Sequence, residues 1–276
     1  NLLGSDHSDT LHGDAGSNRV AGGAGDDKLY GGAGDDTLLG GAGDDALHGD
    51  NLGGADLFDG GDGRDRLSFE FYTQNGVSID LGSGATGGDA AGDTLVGIED
   101  LTGGSGDDSL TGDETGNRLN GSWGDDGLYG AGGADTLVGD LGADTLLGGF
   151  GDDSLSAGDN DDLIAGGRGA DSMSGGGGDD RFVFGVADLL SGSTDTITDF
   201  CDEGDDSIDV IDFGFASSGA ALATGRQVGA HVHFDFDLNG QDDLILSNTS
   251  IGALETDDFL VVVGAPASAQ VYDISV

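Results

Sequence analysis

The chain has 276 residues, 59 of them Gly and one Pro, and carries 54 acidic against 8 basic side chains for a net charge of -46. Such acidity excludes nucleic acid and anionic membrane surfaces as partners unless a cation bridges the contact. No apolar run approaches the ~18 residues needed to cross a bilayer, so no membrane span is expected.

Residues 1–68 form a first block of nine-residue repeats, seen cleanly at 22–48 as GGAGDDKLY, GGAGDDTLL and GGAGDDALH. Position six holds Asp9, Asn18, Asp27, Asp36, Asp45, Asp56 and Asp65, and position eight holds Leu11, Val20, Leu29, Leu38, Leu47, Phe58 and Leu67. Glycines at positions one, two and four are expected to supply the φ > 0 of a tight loop, and the trailing tripeptide a short strand with one inward side chain. Alternate units on opposite sides then give an 18-residue coil of two loops and two strands, each coil rising about 4.8 Å. The ends are ragged: His7 stands where a loop glycine belongs, residues 13–21 carry Asn18, and residues 49–59 contain two extra positions. Sites nearest Asp9, Asn18 and Asp56 are expected to be weakened.

Residues 69–102 interrupt the repeat. FEF at 69–71 and VSIDL at 77–81 alternate like strands, and DTLVGIEDL at 93–101 resumes the Asp-x-Leu beat. Their aromatic and β-branched content predicts one or two enlarged coils in a continuous roll rather than a flexible linker.

Residues 103–183 divide into nine nonapeptides. Position six is Asp108, Asn117, Asp126, Asp135, Asp144, Asp153, Asp162, Asp171 and Asp180; position eight is Leu110, Leu119, Leu128, Leu137, Leu146, Leu155, Ile164, Met173 and Phe182. The loops fall into two columns, Asp108, Asp126, Asp144, Asp162 and Asp180 on one side and Asp135, Asp153 and Asp171 on the other. Bare carboxylates stacked so closely repel. Thr115, Asn117, Ala157 and Asn160 depart from the pattern, and Trp123 occupies a loop position that points to solvent, as a lid over its neighbours or as a carbohydrate or partner contact. Only five acids are Glu (Glu70, Glu99, Glu114, Glu203, Glu255), so the charge is nearly all Asp, the short carboxylate that fits tight loops.

The GGxGxDxUx consensus resembles the RTX family, the haemolysin-type calcium-binding nonapeptide repeat. The resemblance implies an all-β fold, a right-handed parallel β-roll (β-solenoid) with a β-rich C-terminal cap. It also implies calcium ions between successive loops of a column, up to about a dozen, held by position-six carboxylates and by backbone carbonyls of the turn. The ligand set implied comprises Asp27, Asp36, Asp45, Asp56, Asp65, Asp108, Asp126, Asp135, Asp144, Asp153, Asp162, Asp171 and Asp180. Carbonyls come from positions one and three: Gly22, Ala24, Gly31, Ala33, Gly40, Ala42, Gly121, Trp123, Gly139, Leu141, Gly148, Phe150, Gly166 and Arg168. Hard oxygens in a flexible cage suit that ion. A disordered Gly/Asp tail is the competing reading of the composition, and the unbroken phase of positions six and eight argues against it.

Beyond Arg181 ordinary β patterning begins, and residues 184–276 resemble the C-terminal cap of serralysin-type RTX proteins. FVF at 182–184, DTITDF at 195–200 and DSIDVIDF at 206–213 read as strands, with short helical turns expected at 217–224 and 251–258. HVHFDFDLNG predicts a hairpin with Val232, Phe234, Phe236 and Leu238 on one face, a turn at Asn239 and Gly240, and 244–246 returning. His231 and His233 are solvated strand residues or transition-metal ligands; Asp235, Asp237, Asn239 and Asp243 resemble a further calcium loop. Cys201 is a lone packing residue. YDISV at 272–276 resembles the uncleaved signal of type I secreted RTX proteins, which makes that machinery an expected partner. Asn1 follows neither an initiator Met nor a signal peptide, so the chain reads as processed or as a piece of a longer one.

No HExxH, GxSxG or P-loop appears, and loop position accounts for the paired acids, so no catalytic residues and no enzyme activity are assigned. The reading is a secreted, extracellular or cell-surface calcium-binding module that folds on meeting external calcium. Two rivals remain: the C-terminal part of an extracellular protease, lipase or polysaccharide-modifying enzyme, and a structural adhesin or fibre subunit associating end to end through open strand edges or contacting cell-surface polysaccharide.

Overall fold

The computed structural model describes residues 1–49, 54–70, 75–185, 193–200, 206–211, 218–236, 241–255 and 258–262. Two compact units divide the chain, Asn1–Leu128 and Tyr129–Val276.

In the first unit alternate half-coils stack in parallel. One sheet runs Leu2–Leu3, Arg19–Ala24, Thr37–Ala42, Leu57–Asp62, Thr94–Val96. Facing strands run Thr10–His12, Lys28–Tyr30, Ala46–His48, Arg66–Ser68, Asp100–Thr102, Arg118–Trp123. The register advances one coil per strand, placing Val20 beside Leu38 and Leu38 beside Phe58, with Leu29, Leu47, Leu67 and Leu101 in line on the other side. These position-eight side chains are buried and form the core, each contributing roughly 1.5–3 kcal/mol. Four of these eleven strands, Arg19–Ala24, Thr37–Ala42, Leu57–Asp62 and Arg118–Trp123, are longer than the predicted tripeptide. Arg19–Ala24 runs from position seven to position three because Gly23 and Ala24 also pair with Gly41 and Ala42.

Within 69–102 the described strands pair with strands of the repeat coils. Thr94–Val96 pairs with Leu57–Asp62, and Asp100–Thr102 lies between Arg66–Ser68 and Arg118–Trp123. The sequence did not anticipate an antiparallel hairpin, in which Val77–Asp80 pairs with Ala85–Gly88 as well as in parallel with Ser109–Thr111. Asp80 fixes its turn, accepting hydrogen bonds from Ser83 N at 2.9 Å and Ser83 Oγ at 2.6 Å.

In the second unit one sheet stacks Thr136–Leu141, Ser154–Asp159, Ser172–Gly177, Asp195–Ile197 and Leu244–Leu246 in parallel, then adds His231–Phe234 and Gly225–Val228 antiparallel. The other stacks Thr145–Phe150, Leu163–Arg168, Arg181–Gly185, Ser207–Ile211 and Phe259–Val262. The cap strands therefore continue the roll. Phe184, Phe200, Phe234, Phe236 and Phe259 of the cap are buried together with Phe182 of the last repeat, a denser aromatic core than the coils possess.

A helix spans Ser218–Leu222 as expected. Residues 251–253 make a turn, with no helix among the described residues of 251–258. The hairpin strand ends at Phe234; Asp243 Oδ2 accepts from Phe236 N at 2.6 Å and Phe236 stacks on Phe234 at 5.4 Å, while Asp237 and Leu238 lie outside the described residues. Cys201, Asn239, Gly240 and the YDISV terminus lie outside the described residues.

Candidate metal centre

The position-six carboxylates form ladders. Asp27 Oδ1 accepts from the backbone N of Asp9 at 2.7 Å, Asp45 Oδ1 from Asp27 N at 2.8 Å, and Asp65 Oδ1 from Asp45 N at 2.8 Å. Across the coil, Asp36 serves Asn18, Asp56 serves Asp36, and Asp93 serves Asp56. In the second unit Asp153, Asp171 and Asp195 follow from Asp135, and Asp162, Asp180 and Asp206 from Asp144. Asp126 Oδ1 takes Asp108 N. Each acid thus ties its loop to the one before it.

The second oxygen is different. Oδ2 of Asp27, Asp36, Asp45, Asp65, Asp153, Asp162 and Asp180 is buried and meets no hydrogen-bond donor among the described residues. A buried carboxylate oxygen without a donor is costly, and a cation removes the cost. Burial, ahead of neighbouring charges and against the backbone hydrogen bond, pushes Asp65 and Asp180 up to about 6, Asp153 to about 7 and Asp162 to about 8.

Position one explains where that oxygen points. A Cβ built on Gly148 would overlap both Asp153 Oδ2 and the Gly166 carbonyl oxygen; one on Gly40 would overlap Asp45 Oδ2 and the Gly60 carbonyl. Gly22 and Asp27 repeat the arrangement with the Gly40 carbonyl. The expectation that position one needs φ > 0 is corrected: the left-handed region falls at positions two and four, as at Gly149 (φ 105°) and Gly151 (φ 126°). Position one is glycine because a side chain would fill the space between a carboxylate and a carbonyl. Ala157, buried at position one beside Asp162, is a natural exception.

The predicted ligands therefore separate. The acids Asp27, Asp36, Asp45, Asp56, Asp65, Asp126, Asp135, Asp144, Asp153, Asp162, Asp171 and Asp180 are buried in the ladders. Asp108 differs, since Val77 N and Gly104 N take its two oxygens at 2.7 and 2.6 Å. The position-one carbonyls of Gly22, Gly31, Gly40, Gly121, Gly148 and Gly166 point at the position-one glycine of the preceding coil, and Gly139 sits against its own loop's Asp144. At position three the Ala42 and Arg168 carbonyls accept from Gly25 N at 2.7 Å and Gly151 N at 2.8 Å, while Ala24, Trp123 and Phe150 donate their N–H groups to the coil before.

Sequence reasoning missed three features. Asp93, Asp195 and Asp206 extend the ladders without a Gly-rich loop, and their D-x-U tripeptides were the available signal. The position-five acids form a second ladder of opposite polarity: Asp44 N donates to Asp26 Oδ1 at 3.0 Å and Asp179 N to Asp161 Oδ1 at 2.9 Å. Finally, His12, Tyr30 and His48, all at position nine, stack with centroids 4.3 and 4.2 Å apart.

Among the described residues no three His, Cys, Asp or Glu side chains converge on one point. Each joint instead offers carboxylate and carbonyl oxygens, a hard donor set that fits calcium and not a thiolate- or imidazole-seeking metal. His233 Nδ1 lies 2.8 Å from Asp242 Oδ2, and His231 Nδ1 accepts from Asn248 N at 3.3 Å, so both are held by protein neighbours. Trp123 is 62% exposed.

Two family models match the chain. The RTX calcium-binding nonapeptide repeat (four copies) matches residues 3–38, 22–51 and 33–67, and the peptidase M10 serralysin C-terminal model matches residues 55–274. None of the curated proteins compared matches. Among solved structures, extracellular lipase LipA from Serratia marcescens aligns with 94% of this chain at 20% identity and a TM-score of 0.39. The chain spans 39% of that lipase's length. No helix among the described residues is long and apolar enough to cross a membrane.

Proposed function

Because the chain belongs to the peptidase M10 serralysin C-terminal family and opens with RTX calcium-binding repeats, we propose that it is a secreted module whose coils fold when calcium enters the joints between loops. The observation that carries this reading is the row of buried, donorless Oδ2 atoms facing position-one carbonyls. In that role the position-six acids and position-one carbonyls hold the ion, which supplies the charge that lets carboxylates stack. The two repeat blocks (1–68 and 103–183) and the bridging coils (69–102) form the responsive part, and residues 184–276 cap the roll and carry the export signal to the type I machinery. Both matching families are non-catalytic module types; the active site of any accompanying enzyme would lie outside these residues.

The test is a calcium titration read by far-UV circular dichroism. Replacing Asp153 and Asp171 together by Ala removes adjacent rungs of one ladder, and at ~1.4 kcal/mol per site the midpoint should rise severalfold. An unchanged midpoint overturns the assignment. The exception at Ala157 predicts the reverse. Ala157→Gly opens the space beside Asp162, and calcium binding measured by calorimetry should tighten about fivefold, or ~1 kcal/mol; no change would mean that the methyl group is already accommodated.

A further inference from the structure

One joint in the first unit is built differently. From Phe58 to Leu67 the inward residues are nine apart, but their partners Leu95 and Leu101 are six apart, so the loop at 97–99 lacks three residues. Gly97 keeps the position-one carbonyl, which faces Gly60 and Asp65 Oδ2 as in the ordinary joints, so the shortening falls between Gly97 and Asp100. Beside that corner stand protein donors. Arg64 grips the buried Asp100 carboxylate through Nε at 2.9 Å and Nη2 at 2.6 Å, and Arg118 reaches the same carboxylate at 3.8 Å while its N–H donates to Asp100 Oδ1 at 2.9 Å. Asn117 brings an amide where other loops bring an acid. Its Nδ2 donates to the Glu99 carbonyl at 2.8 Å, and its Oδ1 accepts from Asp113 N at 2.8 Å. Glu99, one carbon longer than Asp, spans the shortened loop to accept from Asp65 N at 2.8 Å. Two guanidinium groups thus balance the charges of Glu99 and Asp100.

We propose that Arg64, Glu99, Asp100, Asn117 and Arg118 form a calcium-independent clasp, guanidinium and amide contacts that hold this rung together beside its Asp65 Oδ2 corner. It stays paired when the neighbouring joints lose their ion, and the coils on either side re-form from it. A bidentate guanidinium–carboxylate pair whose acid is buried can hold such a joint, and it does so without drawing on solution calcium. The inference rests on the reading that the ordinary joints need calcium.

Amide hydrogen exchange on the full chain, with 1 mM calcium and with chelator at pH 8, tests it. In chelator, Glu99 and Asp100 N–H groups (both bonded to Asp65 O) and Gly103 N–H (to Asn120 O) should exchange about tenfold more slowly than Lys28 and Ala46 N–H, which bridge ordinary rungs. Arg64→Gln keeps the stem and a polar head; its calcium-loaded exchange should match the parent, and its chelator protection at Asp100 should fall about tenfold. Persisting protection in Arg64→Gln overturns the clasp. Equal protection of both sets in chelator also overturns it: if equally low, only the clasp falls, and if equally high, the calcium requirement falls with it.

Discussion

Withdrawing calcium at pH 8 should melt the coils. If an ordinary joint has the ~0.1 mM dissociation constant of weak extracellular calcium modules, 1 mM calcium contributes ~1.4 kcal/mol per site. The seven joints marked by a donorless Oδ2 then supply about 10 kcal/mol together, comparable with the ~5–15 kcal/mol net stability of a whole domain. At micromolar calcium the same contribution is close to zero. One inward apolar side chain per nine residues leaves little else to oppose the entropy of ordering the chain, and a net charge of -46 works against any compact state. Adding chelator at low ionic strength should therefore abolish most of the β signal and expose the repeats to protease, while readdition of millimolar calcium restores both. Coils that remain rigid and protease-resistant in chelator would refute the proposed function. The cap should resist longest in the second unit, because it buries five phenylalanines where a coil strand buries a single Leu, Ile or Met at position eight.

The roll was legible because two constraints repeat at one period. An inward apolar residue and a loop acid, nine apart, leave a stacked coil as the arrangement that buries one and aligns the other, and Val20, Leu38 and Phe58 lie in that register. Hydrogen-bond direction was not legible. Nothing in GGxGxDxUx says that the position-six acid reaches back to the preceding coil while the position-five acid reaches forward, as Asp27 and Asp26 do. The glycine at position one was recognised for the wrong reason, since composition cannot separate a residue needing φ > 0 from one needing the absence of Cβ. The 77–88 hairpin escaped because its second strand, Ala85–Gly88, lacks the apolar alternation that marks a strand. Asp93, Asp195 and Asp206 were overlooked as ladder members because the search followed the glycines, although the D-x-U beat alone persists into the bridging coils and the cap.

Acid should do part of calcium's work. Burial raises the carboxyls of Asp65 and Asp180 to about 6, Asp153 to about 7 and Asp162 to about 8, all above the 3.8 of an exposed Asp. Between pH 4 and 8 the calcium-free fold consequently holds more protons than the unfolded chain. Its stability must fall as pH rises through that window, the reverse of the usual dependence for paired carboxylates. A protonated Oδ2 no longer carries charge into the interior and its hydrogen can seek a carbonyl, so proton and ion compete for the same oxygen. Two results follow for chain held in chelator and for chain titrated with calcium. In chelator, β signal should be larger at pH 5 than at pH 8, pH 5 being chosen to stay above the pI of 4.1 where the chain would precipitate. In calcium, binding to roll already folded in chelator at pH 5 should release protons, read as acidification of a weakly buffered solution, whereas the midpoint for folding the unfolded, ionised chain should be nearly equal at pH 6 and pH 8. Asp162→Asn, a permanent mimic of the protonated acid, should flatten the first dependence and weaken calcium binding at pH 8. Calcium binding to the pH 5 roll without proton release would mean that these carboxyls are already ionised in the calcium-free roll, and that the donorless oxygens are not where calcium enters.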